Sequence, residues 1–182
     1  MTRIGFAPGV YDLFHIGHLN ILREARRHCD KLVAGVTSDD LVSRLKGRPP
    51  VVPLAERLDI VRSVRFVDEA VVETDVDKLK TWARVNFHVI FKGDDWKGTP
   101  KWEEFERRFA RVGVEVVYFP YTMHTSSTLL RGALELLSAQ QSPGIASAQL
   151  PVPLHQEGGH EQHVGHQQRA VHREEEFLAP QE

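Results

Sequence analysis

Five short apolar segments, each separated from the next by an amphipathic stretch, constrain the fold of this chain more than any other feature. The clearest of them is Lys31–Thr37 (KLVAGVT), which is apolar at consecutive positions. A strand of this kind is buried on both faces, as is typical of a parallel sheet that helices cover. The pattern therefore predicts a doubly wound α/β domain with right-handed crossovers.

The other segments extend this pattern along the chain. Strands are also predicted at Arg3–Ala7, Glu69–Glu73, Val89–Lys92 and Val114–Phe119. Helices are predicted over Ile16–Cys29, from about Asp39, over Leu54–Val64, Val76–Val85 and Lys101–Val112, and from about Ser126. The expected fold is a Rossmann-like, five-stranded parallel sheet with helices on both faces, whose ligand binds at the carboxyl ends of the strands.

Composition changes after about Leu137 and divides the chain into two parts. Residues 1–137 carry 21 basic and 19 acidic side chains, whereas residues 138–182 are rich in Gln, His and Glu and contain one aromatic residue. Such a tail is expected to be disordered, because it buries too little apolar surface to offset the ordering of the chain. Its residues His160, His163 and His166 have a spacing that could chelate a divalent ion weakly, although a solvated extension is the favoured interpretation.

Length and charge narrow the class of protein. A chain of 182 residues provides one ordinary domain plus an appendage, and its net charge of −2 does not favour binding to nucleic acid. The single cysteine, Cys29, cannot form an internal disulfide, and the sequence has neither an apolar run of about 18 residues nor a secretory leader. We therefore expect a cytoplasmic protein without a membrane span.

The segment GVYDLFHIGHLNIL at the end of the first strand carries the strongest chemical signal. Gly9 and Asp12 lie in the predicted turn, and His15 and His18 are one helical turn apart, so that both imidazoles are expected on one face. A helix start offers N–H groups and a positive dipole end to a phosphate, and imidazoles add donors for charge that develops in a transition state. The alternative is a histidine pair that only caps the helix or fills a corner of the core.

This segment, GVYDLFHIGH, resembles the GxFDxxHxGH signature of the cytidylyltransferase branch of the nucleotidylyltransferase superfamily. Four further blocks resemble the same family in the same order: LKGRPPV, RFVDEAVV, FKGDDW and FPYTMHTSST. Together they span roughly residues 3–133. The GDDW turn is most similar to the glycerol-3-phosphate cytidylyltransferases.

The resemblance implies an in-line displacement on CTP by a small phosphorylated alcohol, foremost glycerol 3-phosphate, with Mg²⁺ bound alongside CTP and with a homodimer as the assembly. No metal ligand among the side chains is implied. The implied catalytic residues are His15, His18 and Lys46. The implied nucleotide-binding residues are Gly9, Val10, Tyr11, Asp94, Thr122, Ser126, Ser127 and Thr128. Asp12 and Arg65 are the implied acceptor residues.

Two departures from the family pattern leave other interpretations open. Tyr121–His124 stand where glycerol-3-phosphate relatives have Arg-Thr-Glu-Gly, and Val10 and Tyr11 replace the usual Thr and Phe. The missing arginine contacts the base in relatives, so an adenylyltransferase that uses ATP on a sugar phosphate or FMN is an alternative. A non-catalytic nucleotide-binding protein is another. A class I aminoacyl-tRNA synthetase is disfavoured, because the chain has no room for its tRNA-binding domains.

Overall fold

A computed structural model describes residues 1–120 and 125–140 of the chain. Its sheet has five strands: β1 Ile4–Gly9, β2 Lys31–Thr37, β3 Glu69–Glu73, β4 Val89–Gly93 and β5 Glu115–Phe119. They lie in the order β3-β2-β1-β4-β5, and every neighbouring pair is parallel. The predicted doubly wound, Rossmann-like fold is confirmed.

Helices lie on both faces of this sheet. They are α1 Ile16–Arg26, α2 Asp39–Lys46, α3 Leu54–Arg62, α4 Lys78–Val85, α5 Pro100–Ala110 and α6 Ser127–Gln140. Helices α1 and α3 pack on the face that presents Ala7, Val36 and Phe91, whereas α4 and α5 pack on the face that presents Phe6 and Ile90. Each face thus has its own apolar core.

The sheet opens at the carboxyl end of β1. Strand β1 was predicted to end at Ala7, but it continues to Gly9 and pairs with β2 along this whole length. Its pairing with β4 covers only Gly5 and Phe6. Beyond Phe6 the two central strands therefore separate and leave a crevice between their carboxyl ends, which is the place where doubly wound sheets bind ligands.

Close packing explains why one strand needs glycine. A Cβ atom on Gly35 of β2 would lie 2.4 Å from the Cζ atom of Phe6. The Phe6 ring in turn stacks on Phe87 with ring centroids 4.8 Å apart. Any larger residue at position 35 would displace this pair, because a buried core has no free volume to accommodate it.

Local signals determine where α2 begins and ends. Ser38 caps its amino end by accepting a hydrogen bond from Leu41 N–H at 3.3 Å, and Asp39 and Asp40 lie in the first turn. Gly47 ends the helix with a φ of 70°, a left-handed conformation that glycine adopts without strain. Lys46 is consequently the last residue of α2 and is solvent-exposed.

The last described helix, α6, extends to Gln140 and so passes the compositional boundary at Leu137. Residues 141–182, which include His160, His163 and His166, lie outside the described residues, as do Tyr121–His124. Among the helices that the structure describes, none is long and apolar enough to cross a membrane.

Candidate active site

The turn that follows β1 has an unusual backbone. Tyr11 and Leu13 have positive φ values of 56° and 47°, and this conformation reverses the chain from the strand into α1. The buried Tyr11 hydroxyl donates a hydrogen bond to the Ala7 carbonyl at 2.8 Å, and a Cβ atom on Gly9 would lie only 3.0 Å from the Tyr11 ring. Burial, assisted by the charge of Glu73, raises the pKa of Tyr11. Tyr11 therefore remains a neutral hydrogen-bond donor that holds the turn against β1.

His15 and His18 cap the amino end of α1 reciprocally. The Nδ1 atom of His15, the N-cap residue, accepts from Gly17 N–H at 3.0 Å, and Nδ1 of His18 accepts from His15 N–H at 3.4 Å. The ring centroids are 4.0 Å apart, so both imidazoles lie together as the sequence predicted. An imidazole whose Nδ1 accepts carries its hydrogen on Nε2 when neutral. Both residues are thereby fixed as Nε2–H donors.

Their surroundings keep both rings neutral. Burial lowers the pKa of His18 to about 3, assisted by the positive charge of Lys46 and by that of His15 when His15 is protonated, while Asp12 opposes the shift. Burial also lowers the pKa of His15. The His18 ring lies against Tyr11 and Phe14, with centroids 5.3 and 5.5 Å away. At neutral pH the site thus presents two uncharged donors.

The depressed pKa of His18 predicts that the fold loses stability in mild acid. Below about pH 6.5 the unfolded chain takes up a proton at His18 that the folded protein does not accept until about pH 3, so the free energy of unfolding falls across this window. Between about pH 7.5 and pH 5 the loss at this group is about 1–2 kcal/mol. Urea unfolding at the two pH values measures it. A His18→Asn variant is expected to show a smaller difference, and an unchanged difference would contradict the assignment.

Asp12 joins three segments through its carboxylate. The side chain is 5% exposed and accepts hydrogen bonds from Val51 N–H at 3.0 Å, from Val52 N–H at 2.9 Å and from Arg131 Nη2 at 2.9 Å. Although burial alone raises its pKa, these hydrogen bonds and the Arg131 charge hold the pKa of Asp12 below its usual value. The implied acceptor residue therefore already has protein partners that tie the β1–α1 turn to α6 and to the segment that follows α2.

The end of α2 and the segment that follows it, residues 47–53, bring further cationic side chains near the β1–α1 turn. Arg131 of α6 donates to the Pro49 carbonyl at 3.1 Å, and Arg48 pairs with Glu135 of α6 at 3.1 Å. Lys46 precedes this segment, and its charge helps to lower the pKa of His18. The structure thus brings Lys46 into electrostatic range of the histidine pair.

Ser126 directly precedes α6, and Ser127 and Thr128 are its first two residues, so the helix begins near Ser126 as the sequence predicted. The Ser126 hydroxyl accepts from Leu129 N–H at 3.2 Å and so caps the helix. The Ser127 hydroxyl donates to the Asp12 carbonyl at 2.7 Å, whereas Thr128 is exposed. The amino ends of α1 and α6 consequently lie beside the same turn, and both contribute N–H groups and positive dipole ends. Thr122 is outside the described residues.

Asp94 and Arg65 lie in two different parts of the fold. Asp94 is exposed and begins a short 3₁₀ helix, Asp94–Trp96, directly after β4. Arg65 is exposed and lies over the Phe66 ring at 4.9 Å. Arg23 of α1 lies over the same ring at 5.6 Å, so the described contacts place Arg65 beside the later turns of α1 rather than beside His15 and His18.

Arg57 is a residue that the sequence did not single out. Its side chain on α3 is completely buried, and its guanidinium donates to the carbonyls of Val10, Val52 and Thr37 and to Asp39. The last two bonds measure 2.9 and 2.5 Å. It thereby fixes the ends of β1 and β2 relative to α2 and to the segment containing Val52. An arginine in an amphipathic helix normally lies at the surface, so no sequence signal distinguishes it.

No group of three or more His, Cys, Asp or Glu side chains within residues 1–120 and 125–140 could hold a metal ion. Mg²⁺ usually keeps several waters and binds through one or two carboxylates together with substrate phosphates. A Mg²⁺ ion that arrived with a nucleoside triphosphate would need only one or two protein carboxylates.

Comparisons with known proteins identify a family and relatives of this chain. The family described as cytidylyltransferase-like matches residues 6–149. A FAD synthase of Pyrococcus horikoshii is 34% identical over 119 residues, which cover 62% of this chain and 77% of that protein. The ethanolamine-phosphate cytidylyltransferase of Arabidopsis thaliana is 40% identical over 97 residues, which cover 50% of this chain and 22% of that protein. The chain thus spans most of the first relative and less than a quarter of the second.

A solved structure shows the same architecture. The lipopolysaccharide core biosynthesis protein from Thermoplasma volcanium GSS1 is 26% identical and superposes with a TM-score of 0.58. The match covers 69% of this chain and 100% of that chain. The family match extends over more than three quarters of the sequence and includes the β1–α1 turn with its histidine pair. The chain therefore belongs to the cytidylyltransferase-like family of nucleotidyltransferases.

Proposed function

We propose that this protein transfers CMP from CTP to a small phosphorylated alcohol, with glycerol 3-phosphate as the first candidate, and releases pyrophosphate. A phosphate oxygen of the acceptor forms a bond to the α-phosphorus of CTP as the bond to the β-phosphate bridging oxygen breaks. The observation that carries the proposal is the reciprocal cap of α1, which holds His15 and His18 as a pair of Nε2–H donors at a helix start.

Each element of the site has a part in this reaction. The His15 and His18 donors stabilise the charge that develops on the α-phosphoryl oxygens, and Lys46 adds a mobile cation. The first turns of α1 and α6 bind the triphosphate through backbone N–H groups. Because in-line displacement is chiefly a matter of position and charge, the site needs no nucleophilic side chain.

A Mg²⁺ ion would accompany the triphosphate and neutralise part of its charge. The Asp94 carboxylate, exposed directly after β4, would accept a hydrogen bond from a ribose hydroxyl or a base amine. The choice of CTP is supported by the family description and by the ethanolamine-phosphate cytidylyltransferase relative. The FAD synthase relative supports the second candidate, adenylyl transfer from ATP to FMN or a sugar phosphate.

Pyrophosphate release distinguishes these candidates. Purified protein with Mg²⁺ would be assayed with CTP and with ATP against glycerol 3-phosphate, phosphoethanolamine, phosphocholine, sugar phosphates and FMN. We expect release with CTP and glycerol 3-phosphate. Pyrophosphate release only with ATP would overturn the choice of nucleotide but not the transfer mechanism. Nucleotide binding without pyrophosphate release, for every combination of nucleotide and acceptor, would favour a non-catalytic protein.

A further inference from the structure

Lys92 lies at the carboxyl end of β4, one of the two central strands that border the crevice. Its ammonium group lies 4.7 Å from the centroid of the Trp96 ring and 5.7 Å from that of Trp102. Ile90, two residues earlier on β4, belongs to the core under α4 and α5, so Lys92 emerges on that face. The two indole rings therefore flank the Lys92 ammonium group at the carboxyl end of β4.

The protein provides Lys92 with no close anion. No carboxylate among the described residues forms an ion pair with its ammonium group, although Asp95 and Glu73 act on it from farther away. Glu73 is completely buried and already pairs with Lys78 at 2.6 Å and with Thr81 at 3.1 Å. The charges of Lys78 and Lys46 repel Lys92. Two lysines from other elements thus act on Lys92, while the buried Glu73 carboxylate already has Lys78 as its partner.

Burial lowers the pKa of Lys92 to about 8, and the repulsion from Lys78 adds to this effect. The free protein consequently holds an ammonium group whose charge is poorly compensated. Indole faces attract a cation but do not neutralise it, whereas a bound phosphate does. The surroundings of Lys92 are therefore suited to reversible binding of an anionic ligand rather than to a permanent ion pair.

We propose that Lys92 binds the phosphate group of the acceptor and is a specificity-determining residue for anionic acceptors; this inference rests on the proposed function. In-line attack places the acceptor oxygen opposite the leaving pyrophosphate. The proposed triphosphate site is at the amino ends of α1 and α6, and α1 packs on the opposite face of the sheet from Lys92. Our proposal therefore places the acceptor phosphate at Lys92, away from the helix that carries His18.

The proposal predicts a specific pH dependence. A phosphate dianion binds the protonated form of Lys92, so the affinity for the acceptor falls as the pH rises above about 8. The charged groups that face Lys92 are Glu73 of β3, Lys78 of α4, Asp95 after β4 and Lys46 of α2. On β5, burial and a hydrogen bond to Glu106 raise the pKa of Tyr118, whose ring lies 6.2 Å from Trp102.

Binding measurements on the full chain test this without requiring turnover. The probes are glycerol 3-phosphate and inorganic phosphate. The affinity for each is measured by calorimetry and by the fluorescence of the tryptophans beside Lys92. Lys92→Met is expected to weaken both probes about 10- to 100-fold, the loss of one charge-assisted hydrogen bond, and to leave CTP binding within about twofold. Lys92→Arg should bind the probes and abolish the decline above pH 8. Lys101→Met, which removes an exposed lysine of α5, is the matched control.

The possible outcomes separate the two proposals. Wild-type protein that binds neither probe, or Lys92→Met protein that binds both as the wild type does, would overturn the role of Lys92. An equal loss of CTP affinity would assign Lys92 to the nucleotide instead and overturn the proposal as well. Absence of pyrophosphate release from wild-type protein that does bind phosphate through Lys92 would count against the proposed reaction alone.

Discussion

His18→Asn and His15→Asn are each expected to lower kcat about 100- to 1000-fold while the protein stays folded, the loss typical of one transition-state donor. The asparagine Oδ1 atom occupies the position of Nδ1 and can still accept the capping N–H of Gly17 or His15. The Nε2–H donor, however, is removed. Steady-state pyrophosphate release, together with thermal unfolding of each variant, measures the two effects separately.

The identity of the N-cap residue supports this expectation. Asn, Asp and Ser are the preferred N-cap residues, and an asparagine at position 15 should stabilise α1 at least as well as histidine. A histidine at this position is explained by a task that an asparagine cannot perform. Stability and turnover are therefore expected to change independently, or in opposite directions, in His15→Asn.

A control variant and an outcome that would contradict the expectation are both available for this experiment. His28, an exposed histidine beyond the end of α1, offers a matched substitution to alanine, which should leave kcat within about twofold. If both asparagine variants turn over like the wild type, the histidine pair only caps the helix. That result would remove the main support for the proposed mechanism, because the proposal depends on the two Nε2–H donors at the start of α1.

The strands could be predicted from the sequence because their apolar runs are local signals. Lys31–Thr37 and Glu69–Glu73 have the predicted bounds, and the other strands differ from prediction by at most two residues at either end. The strand β1 extends past the prediction because Pro8 and Gly9, which usually end strands, lie where its only remaining neighbour is β2. Helix α1 ends at Arg26, three residues before its predicted end.

In the candidate site, too, local features could be predicted from the sequence and long-range contacts could not. The histidine pair was predictable, because residues three apart at a helix start meet through local geometry alone. Arg57, Arg131 and Lys92 were not singled out, since their contacts join segments distant in sequence. Arg131, for example, reaches Asp12 across 119 residues. Asp12 shows the converse: its motif was recognised, but its four hydrogen bonds to protein groups emerge only from the tertiary structure.

Arg57→Ala is expected to lower the free energy of unfolding by about 3–5 kcal/mol, the largest stability effect of any single substitution discussed for this protein. The change leaves the Val10, Val52 and Thr37 carbonyls without their donor, the first two partly buried and the third buried. It also leaves a cavity, since the arginine side chain is fully buried. Urea unfolding monitored by circular dichroism would measure the loss.

Two variants test whether the loss comes from the buried network rather than from the helix. Arg62→Ala removes an arginine of the same helix that is 56% exposed, and it should change the free energy of unfolding by no more than about 0.5 kcal/mol. Arg57→Lys keeps the charge, but one ammonium group cannot reproduce the planar fork that reaches four acceptors. We expect it to recover less than half of the loss. A decrease below about 1 kcal/mol in Arg57→Ala would mean that water replaces the guanidinium, and that the turn bearing His15 does not depend on Arg57 for its position.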